Sequence, residues 1–222
     1  MFRVKLILRM VAMTIVIGAV LFVSAGRIDL PFFWAYLAVM AGFGIVMMLT
    51  LPRSLLEERI KPADGGRDNL GLLRLVAGAV FLSQLVVAGL DVRRFHGSGG
   101  VPAALRVVGL AGLVAVLGTW YWAMRSNPFF SAAVRIQRDR GHRVVTSGPY
   151  RFVRHPGYAA FVLFGWGGPL ALGSWLAVAL HLVVVVLFVR RAALEDRMLR
   201  EELEGYAEYA VSVRSRLLPG LW

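Results

Sequence analysis

The chain has 222 residues, 58% of them hydrophobic and 17% charged, with no cysteine and a formal net charge of +12. That apolarity belongs to an integral membrane protein, and the missing cysteine excludes disulfides, thiolate metal sites and a catalytic thiol. Nucleic acid is not the partner implied by the charge, because the arginines fall in short segments between apolar runs, where anionic headgroups of the lipid bilayer are expected.

A hydrocarbon core about 30 Å thick needs roughly 20 apolar residues per helix. The first span is expected over residues 10–25, behind Arg3, Lys5 and Arg9. This start also mimics a signal peptide, with Val23-Ser24-Ala25 as a cleavage site; Pro31, opening another span a few residues later, favours a retained helix. Further spans are expected over 31–51, 70–90 and 101–124. After Tyr158 an apolar stretch runs to Val189, interrupted at 165–169 and 173–174 by Gly and Pro, which reads as a helical hairpin whose second arm is 175–189. The expected fold is all-α: a polytopic membrane helix bundle of four spans plus a C-terminal helical hairpin, with a polar connector and tail. We read it as a single domain over 1–222, with membrane spans in 1–126 and a catalytic region in 127–222.

Lysine and arginine set the orientation. Of the 25 basic residues, all but Arg27, Arg93, Arg94 and Arg106 fall on the side of the N-terminus, the 52–74 loop, the 125–157 connector and the tail. The positive-inside rule makes that side cytoplasmic. The proposed apolar cores hold no Asp or Glu, which argues against a proton-coupled transporter. Arg125, Arg135, Arg214, Arg216 and Trp222, taken singly, read as interfacial anchors, and His181 as a packing residue. His96 carries no assignment. No metal site is expected, since His142 and His155 are far apart without a carboxylate cluster and no H-E-x-x-H occurs. G-x-S-x-G is absent, and the glycine-rich runs follow no strand, so neither a hydrolase elbow nor a Rossmann site is supported.

Residues 137–158, QRDRGHRVVTSGPYRFVRHPGY, concentrate Arg138, Arg140, His142, Arg143, Arg151, Arg154 and His155 around a Gly148-Pro149 turn. The turn should return Tyr150, Arg154 and His155 to the membrane face. Pro156 suits the first turn of a helix, whose positive end would then receive a carboxylate or phosphate beside Arg154 and His155. Arg191 and Glu195, four residues apart, share one helix face. Cationic and anionic groups together suit an amino-acid-like ligand.

The run V-T-S-G-P-Y-R-F-V-R-H-P-G-Y at 145–158, E-D-x-x-L at 195–199, G-Y-x-x-Y at 205–209 and R-x-R-L-L-P-G at 214–220 resembles the isoprenylcysteine carboxyl methyltransferase family. L-L-E-E-R at 55–59 and D-V-R-R-F at 91–95 resemble its bacterial-type members more weakly. The resemblance implies an enzyme using S-adenosyl-L-methionine without a Rossmann fold. By position the cofactor would meet Gln137, His142, Arg143, Val144, Val145, Tyr150, His155, Pro156, Gly157 and Tyr158. Arg191 and Glu195 match the family's substrate-side pair, with Arg190 an alternative register for Arg191.

The catalytic set is then Arg154, Arg191 and Glu195. A carboxylate acceptor is ionised at neutral pH and needs no base, so Arg191 or Arg154 would orient it. An amine acceptor would need one, with His142 the first suspect. The acceptor is expected to be lipophilic and prenylcysteine-like, entering from the bilayer, and the charged 52–74 loop (Glu57, Glu58, Arg59, Lys61) to cover the pocket. The alternatives are a lipid N-methyltransferase, a sterol-type reductase using NADPH, and a non-catalytic membrane protein.

Overall fold

A computed structural model describes residues 2–60, 70–92, 100–220 and 222 of the chain. Lys61, Arg93, Arg94 and His96 lie outside the described residues. Those described are helical or irregular, with no strand among them. In chain order the helices are α1 (Phe2–Ala25), α2 (Pro31–Thr50), α3 (Arg53–Ile60), α4 (Leu70–Leu90), α5 (Ala103–Ser126), α6 (Pro156–Phe164), α7 (Gly167–Ala171), α8 (Trp175–Glu202) and α9 (Tyr206–Ser212). Short 3₁₀ turns form at Arg138–Arg140 and Gly148–Arg151.

Five helices among the described residues are long and apolar enough to cross a membrane: α1, α2, α4, α5 and α8. The chain is an integral, multi-pass membrane protein. Its exterior agrees, since Val4, Leu8, Ile15, Val23, Leu49 and Val107 all expose more than half of their surface. In water such a surface would aggregate; in lipid it is the expected one.

Three sequence boundaries need correction. α1 begins at Phe2, eight residues before the expected Met10, because Val4, Leu6, Ile7 and Leu8 keep the segment apolar around Arg3, Lys5 and Arg9. The hairpin's first arm is two short helices, α6 and α7, separated at Gly165-Trp166. Its second arm does not stop at Val189. α8 continues through Arg190, Arg191, Glu195 and Asp196 to Glu202, since hydropathy falls there while Ala192-Ala193-Leu194-Glu195 remains strongly helix-forming. α3 is an addition, in a stretch read only as a loop.

The chain divides into two compact units. The first comprises 1–50, 76–117 and 164–184. Here Phe22 packs on Phe33 and Trp34, with ring centroids 5.9 and 4.7 Å apart. Gly109 and Gly112 of α5 lie against α7 so closely that a Cβ on Gly109 would stand 2.4 Å from the Ala171 nitrogen. Small residues at this crossing let the backbones touch. The polar groups find partners: Ser174 Oγ donates to Asp91 (2.7 Å), Gln84 Nε2 to the Ala177 carbonyl (3.3 Å) and Arg106 Nε to the Ala171 carbonyl (3.1 Å). His181 is buried with its ring 5.0 Å from Trp166, the packing role expected of it.

The second unit comprises 51–75, 118–163 and 185–222. Every residue expected in the site falls within it. One core gathers Val134, Met198, Leu199, Leu203, Tyr206, Tyr209 and Ala210, with Val144 and Ile136 packed on its edge. Another joins Val153, Ala159, Ala192 and Leu217. The tail is tied back by main-chain bonds: Arg154 N donates to Ser215 O (3.0 Å) and His155 N to Arg216 O (2.9 Å).

Candidate functional site

Gly148 starts the expected turn with φ at +60°, and a Cβ there would stand 2.2 Å from Ser126 Oγ. Both the backbone angle and the space therefore require glycine. The turn buries Pro149 and Tyr150. Asn127 Nδ2 donates to the Tyr150 hydroxyl (3.1 Å), and Tyr209 Oη donates to the Tyr150 carbonyl (2.6 Å). Burial raises the pKa of the Tyr150 and Tyr209 hydroxyls, so both stay neutral.

Four residues later Arg154 and His155 are buried against α8. Arg154 grips Asp196 through Nε (2.6 Å) and Nη2 (3.2 Å), while Nη1 donates to the Val213 and Arg214 carbonyls, each at 2.7 Å. Asp196 is completely buried and also accepts from Tyr206 Oη (3.0 Å), Arg200 Nε (3.1 Å) and Arg216 Nε (2.9 Å). His155 Nε2 lies 3.4 Å from both Asp196 Oδ1 and Tyr206 Oη. One carboxylate thus joins the start of α6, the C-terminal part of α8, α9 and the tail. A charge taken so far from water is tolerable only with such a full set of donors.

Pro156 opens α6 as expected. Gly157 sits under Phe130, whose ring atoms would be 2.9 Å from an added Cβ. Tyr158 stacks on His155 (5.9 Å between centroids) and Phe188 (5.5 Å), and its hydroxyl donates to Glu195 Oε2 (2.6 Å). The Arg191 guanidinium lies 5.7 Å from the Tyr158 ring and donates to the Ala132 carbonyl. Arg190 is exposed, whereas Arg191 is half-buried. Arg191, Tyr158 and Glu195 form one charged and aromatic cluster.

The connector adds a third group. Gln137 is buried, donates through Nε2 to the Phe129 carbonyl and accepts from Arg140 Nη1 (2.6 Å). His142 accepts the Gln137 N–H at Nδ1 (3.3 Å) and packs its ring 4.7 Å from that of Phe129. Burial, then Arg135 and Arg140, lower the His142 pKa to about 4, so the ring is neutral at physiological pH. Val144 turns into the core, Val145 is half-buried and Arg143 points outward.

Sequence reasoning put Arg191 and Glu195 on one helix face but assigned Tyr158 to the cofactor, apart from them, and it missed several partners. Asp196 stands next to Glu195, about 100° further round the helix, and so serves a different neighbour set. Tyr206 and Asn127 were likewise given no role. Two supposed interfacial anchors belong to networks: Arg216 to Asp196, and the buried Arg135 to Glu58 and Asp139. Advance signals for Asp196, Tyr206 and Arg216 lay in the E-D-x-x-L, G-Y-x-x-Y and R-x-R-L-L-P-G runs that contain them.

Residues 107–201 match the model of the Isoprenylcysteine carboxyl methyltransferase (ICMT) family. This segment is similar to the ICMT family. It holds Arg154, His155, Tyr158, Arg191, Glu195 and Asp196, the whole of the charged site apart from the α9 and tail contributions. Among curated ICMT-like relatives, a "Probable protein-S-isoprenylcysteine O-methyltransferase" of Oryza sativa subsp. indica is 37% identical over 90 residues, covering 40% of this chain and 47% of the relative. "Protein-S-isoprenylcysteine O-methyltransferase B" of Arabidopsis thaliana is 33% identical over 88 residues, covering 39% of this chain and 45% of the relative. "Protein-S-isoprenylcysteine O-methyltransferase" of Schizosaccharomyces pombe is 33% identical over 94 residues, covering 41% and 40%. The matches thus span less than half the length of these ICMT relatives.

Proposed function

We propose that the chain is a membrane methyltransferase that esterifies the carboxylate of a lipophilic, prenylcysteine-like acceptor, using S-adenosyl-L-methionine. The observation that carries this reading is the Arg191–Tyr158–Glu195 cluster, seated beside the Arg154–His155–Asp196 hub inside the ICMT segment. The groups that support an amino-acid-like cofactor are a neutral His142, the start of α6 and the ring of Tyr150. Gln137, His142–Val145, Tyr150 and His155–Tyr158 are assigned to holding it.

When bound, the cofactor would supply an activated methyl group for the acceptor oxygen, and the carbon–sulfur electron pair would leave with the thioether, with no proton exchanged. Arg191 orients the acceptor carboxylate through paired N–H donors. Glu195, fixed by the Tyr158 hydroxyl, completes the charge balance. Arg154 was a candidate for the same task, but its commitment to Asp196 and two carbonyls makes it a positioning residue for His155 and the start of α6. The depressed pKa of His142 supports a carboxylate acceptor over an amine, because a base so weak takes protons from ammonium groups poorly. Residues 127–222 serve as the catalytic region of one domain, facing the cytoplasm by the positive-inside rule, with the bilayer delivering the acceptor.

The test is transfer of labelled methyl from S-adenosyl-L-methionine to an N-acetylated farnesylcysteine by the purified protein in lipid nanodiscs. Label released as methanol by mild base is the expected result. Base-stable label, or none with any acceptor, would overturn it.

A further inference from the structure

Glu58 lies on α3, upstream of the ICMT segment, yet within the second compact unit. A carboxylate on a short helix after a membrane span would ordinarily face water. Glu58 is instead 9% exposed and fully engaged. Its Oε1 accepts from Ser131 Oγ (2.8 Å) and from Arg135 Nε (3.3 Å), and Arg135 Nη2 reaches both oxygens at 3.3 Å. Arg135 is itself 7% exposed and is steadied from the other side by Asp139 (3.0 Å). Ser131 Oγ in turn accepts the Ala133 N–H (3.2 Å), closing a small turn.

That turn presents the Ala132 carbonyl, which receives the Arg191 guanidinium. Val134 and Ile136, in the same strap, pack on the core that α8 and α9 share. The strap then runs directly into Gln137. One carboxylate from outside the family segment therefore fixes the strap at both ends, and the strap's middle carbonyl aims the arginine.

We propose that Glu58 is a positioning residue: it holds the 131–135 strap so that the Ala132 carbonyl sets the orientation of Arg191 in the acceptor site. The inference rests on the methyltransferase reading for its kinetic consequence, but the hold on the strap is physical and can be measured without it. Its signature is selectivity. Loss of Glu58 affects the acceptor side, through Arg191, and leaves the cofactor residues around His155 in place.

The experiment compares the wild-type protein, Glu58→Gln, Arg191→Ala and the double variant, in nanodiscs, by two readouts. The first is hydrogen–deuterium exchange. Glu58→Gln should speed exchange severalfold across 131–135, while peptides over 153–160 and 195–210 keep their rates. The second is methyl transfer to farnesylcysteine. Glu58→Gln should raise the acceptor KM by about tenfold, as small misplacements do. S-adenosylhomocysteine affinity should be retained, and the double variant should be no worse than Arg191→Ala, because both act through one group. Exchange that is unchanged in the strap, or raised uniformly, overturns the proposal; so does an additive double variant. Wild-type protein that transfers no methyl removes the methyltransferase reading instead, and the exchange result then decides the role of Glu58.

Discussion

Replacing Asp196 by Asn is the most informative single perturbation of the site's frame. The side chain keeps its shape and one carbonyl oxygen but loses its charge and one acceptor. Two of its partners are partly solvated, Arg200 at 42% and Arg216 at 32% side-chain exposure, so each contributes no more than about 1 kcal/mol. Arg154 is different, with only 2% exposure and two contacts to the carboxylate. Removing one partner of such a buried pair costs about 3–5 kcal/mol, most of it the penalty on the charge left behind. The Val213 and Arg214 carbonyls still receive Arg154 Nη1, which places the expected loss near the lower bound, about 3 kcal/mol. Equilibrium unfolding of detergent-solubilised protein, followed by tryptophan fluorescence, measures it. Arg154→Met combined with Asp196→Leu should recover part of the loss, since neither charge is then stranded. A change below about 0.5 kcal/mol for Asp196→Asn would refute the view that this carboxylate ties α6, α8, α9 and the tail together.

Arg191→Ala should raise the acceptor KM or slow transfer while leaving cofactor affinity nearly intact, whereas the exposed Arg190→Ala should do neither; steady-state kinetics on both variants separates the two registers. His142 binds its proton only near pH 4 when folded but near 6.5 when unfolded, so the unfolded chain takes up protons first. Stability should therefore fall as pH drops through that window, and a His142→Gln variant should lose this part of the pH dependence in unfolding measurements. Gly109→Ala forces a methyl onto the α7 backbone and should cost about 1–3 kcal/mol in unfolding. Gly118→Ala, on the same helix with nothing within 4 Å of its added Cβ, should cost nothing.

Much of the fold was legible because membrane spans are written in apolar run length alone. The expected limits of the second to fourth spans fall within about two residues of α2, α4 and α5. The errors came where length and charge disagreed. α1 carries its three basic residues inside the helix, and α8 keeps its helical backbone well past the last valine. The site was half legible for a similar reason. Arg191 and Glu195 are helix neighbours, and helical spacing reveals such pairs. Arg154 and Asp196 are 42 positions apart, and Arg135 and Glu58 are 77 apart. Nothing in a single sequence says which of its many arginines a given acid will meet. Nor does hydropathy show that a buried carboxylate such as Asp196 collects its partners from three elements and the tail.

Calorimetric titration of the detergent-purified protein with S-adenosylhomocysteine, with NADPH as the control ligand and His155→Ala as the control variant, tests the central claim most directly. The account predicts micromolar binding of S-adenosylhomocysteine alone, weakened in a folded His155→Ala protein. Binding of NADPH instead, or of neither ligand by folded protein, would contradict it.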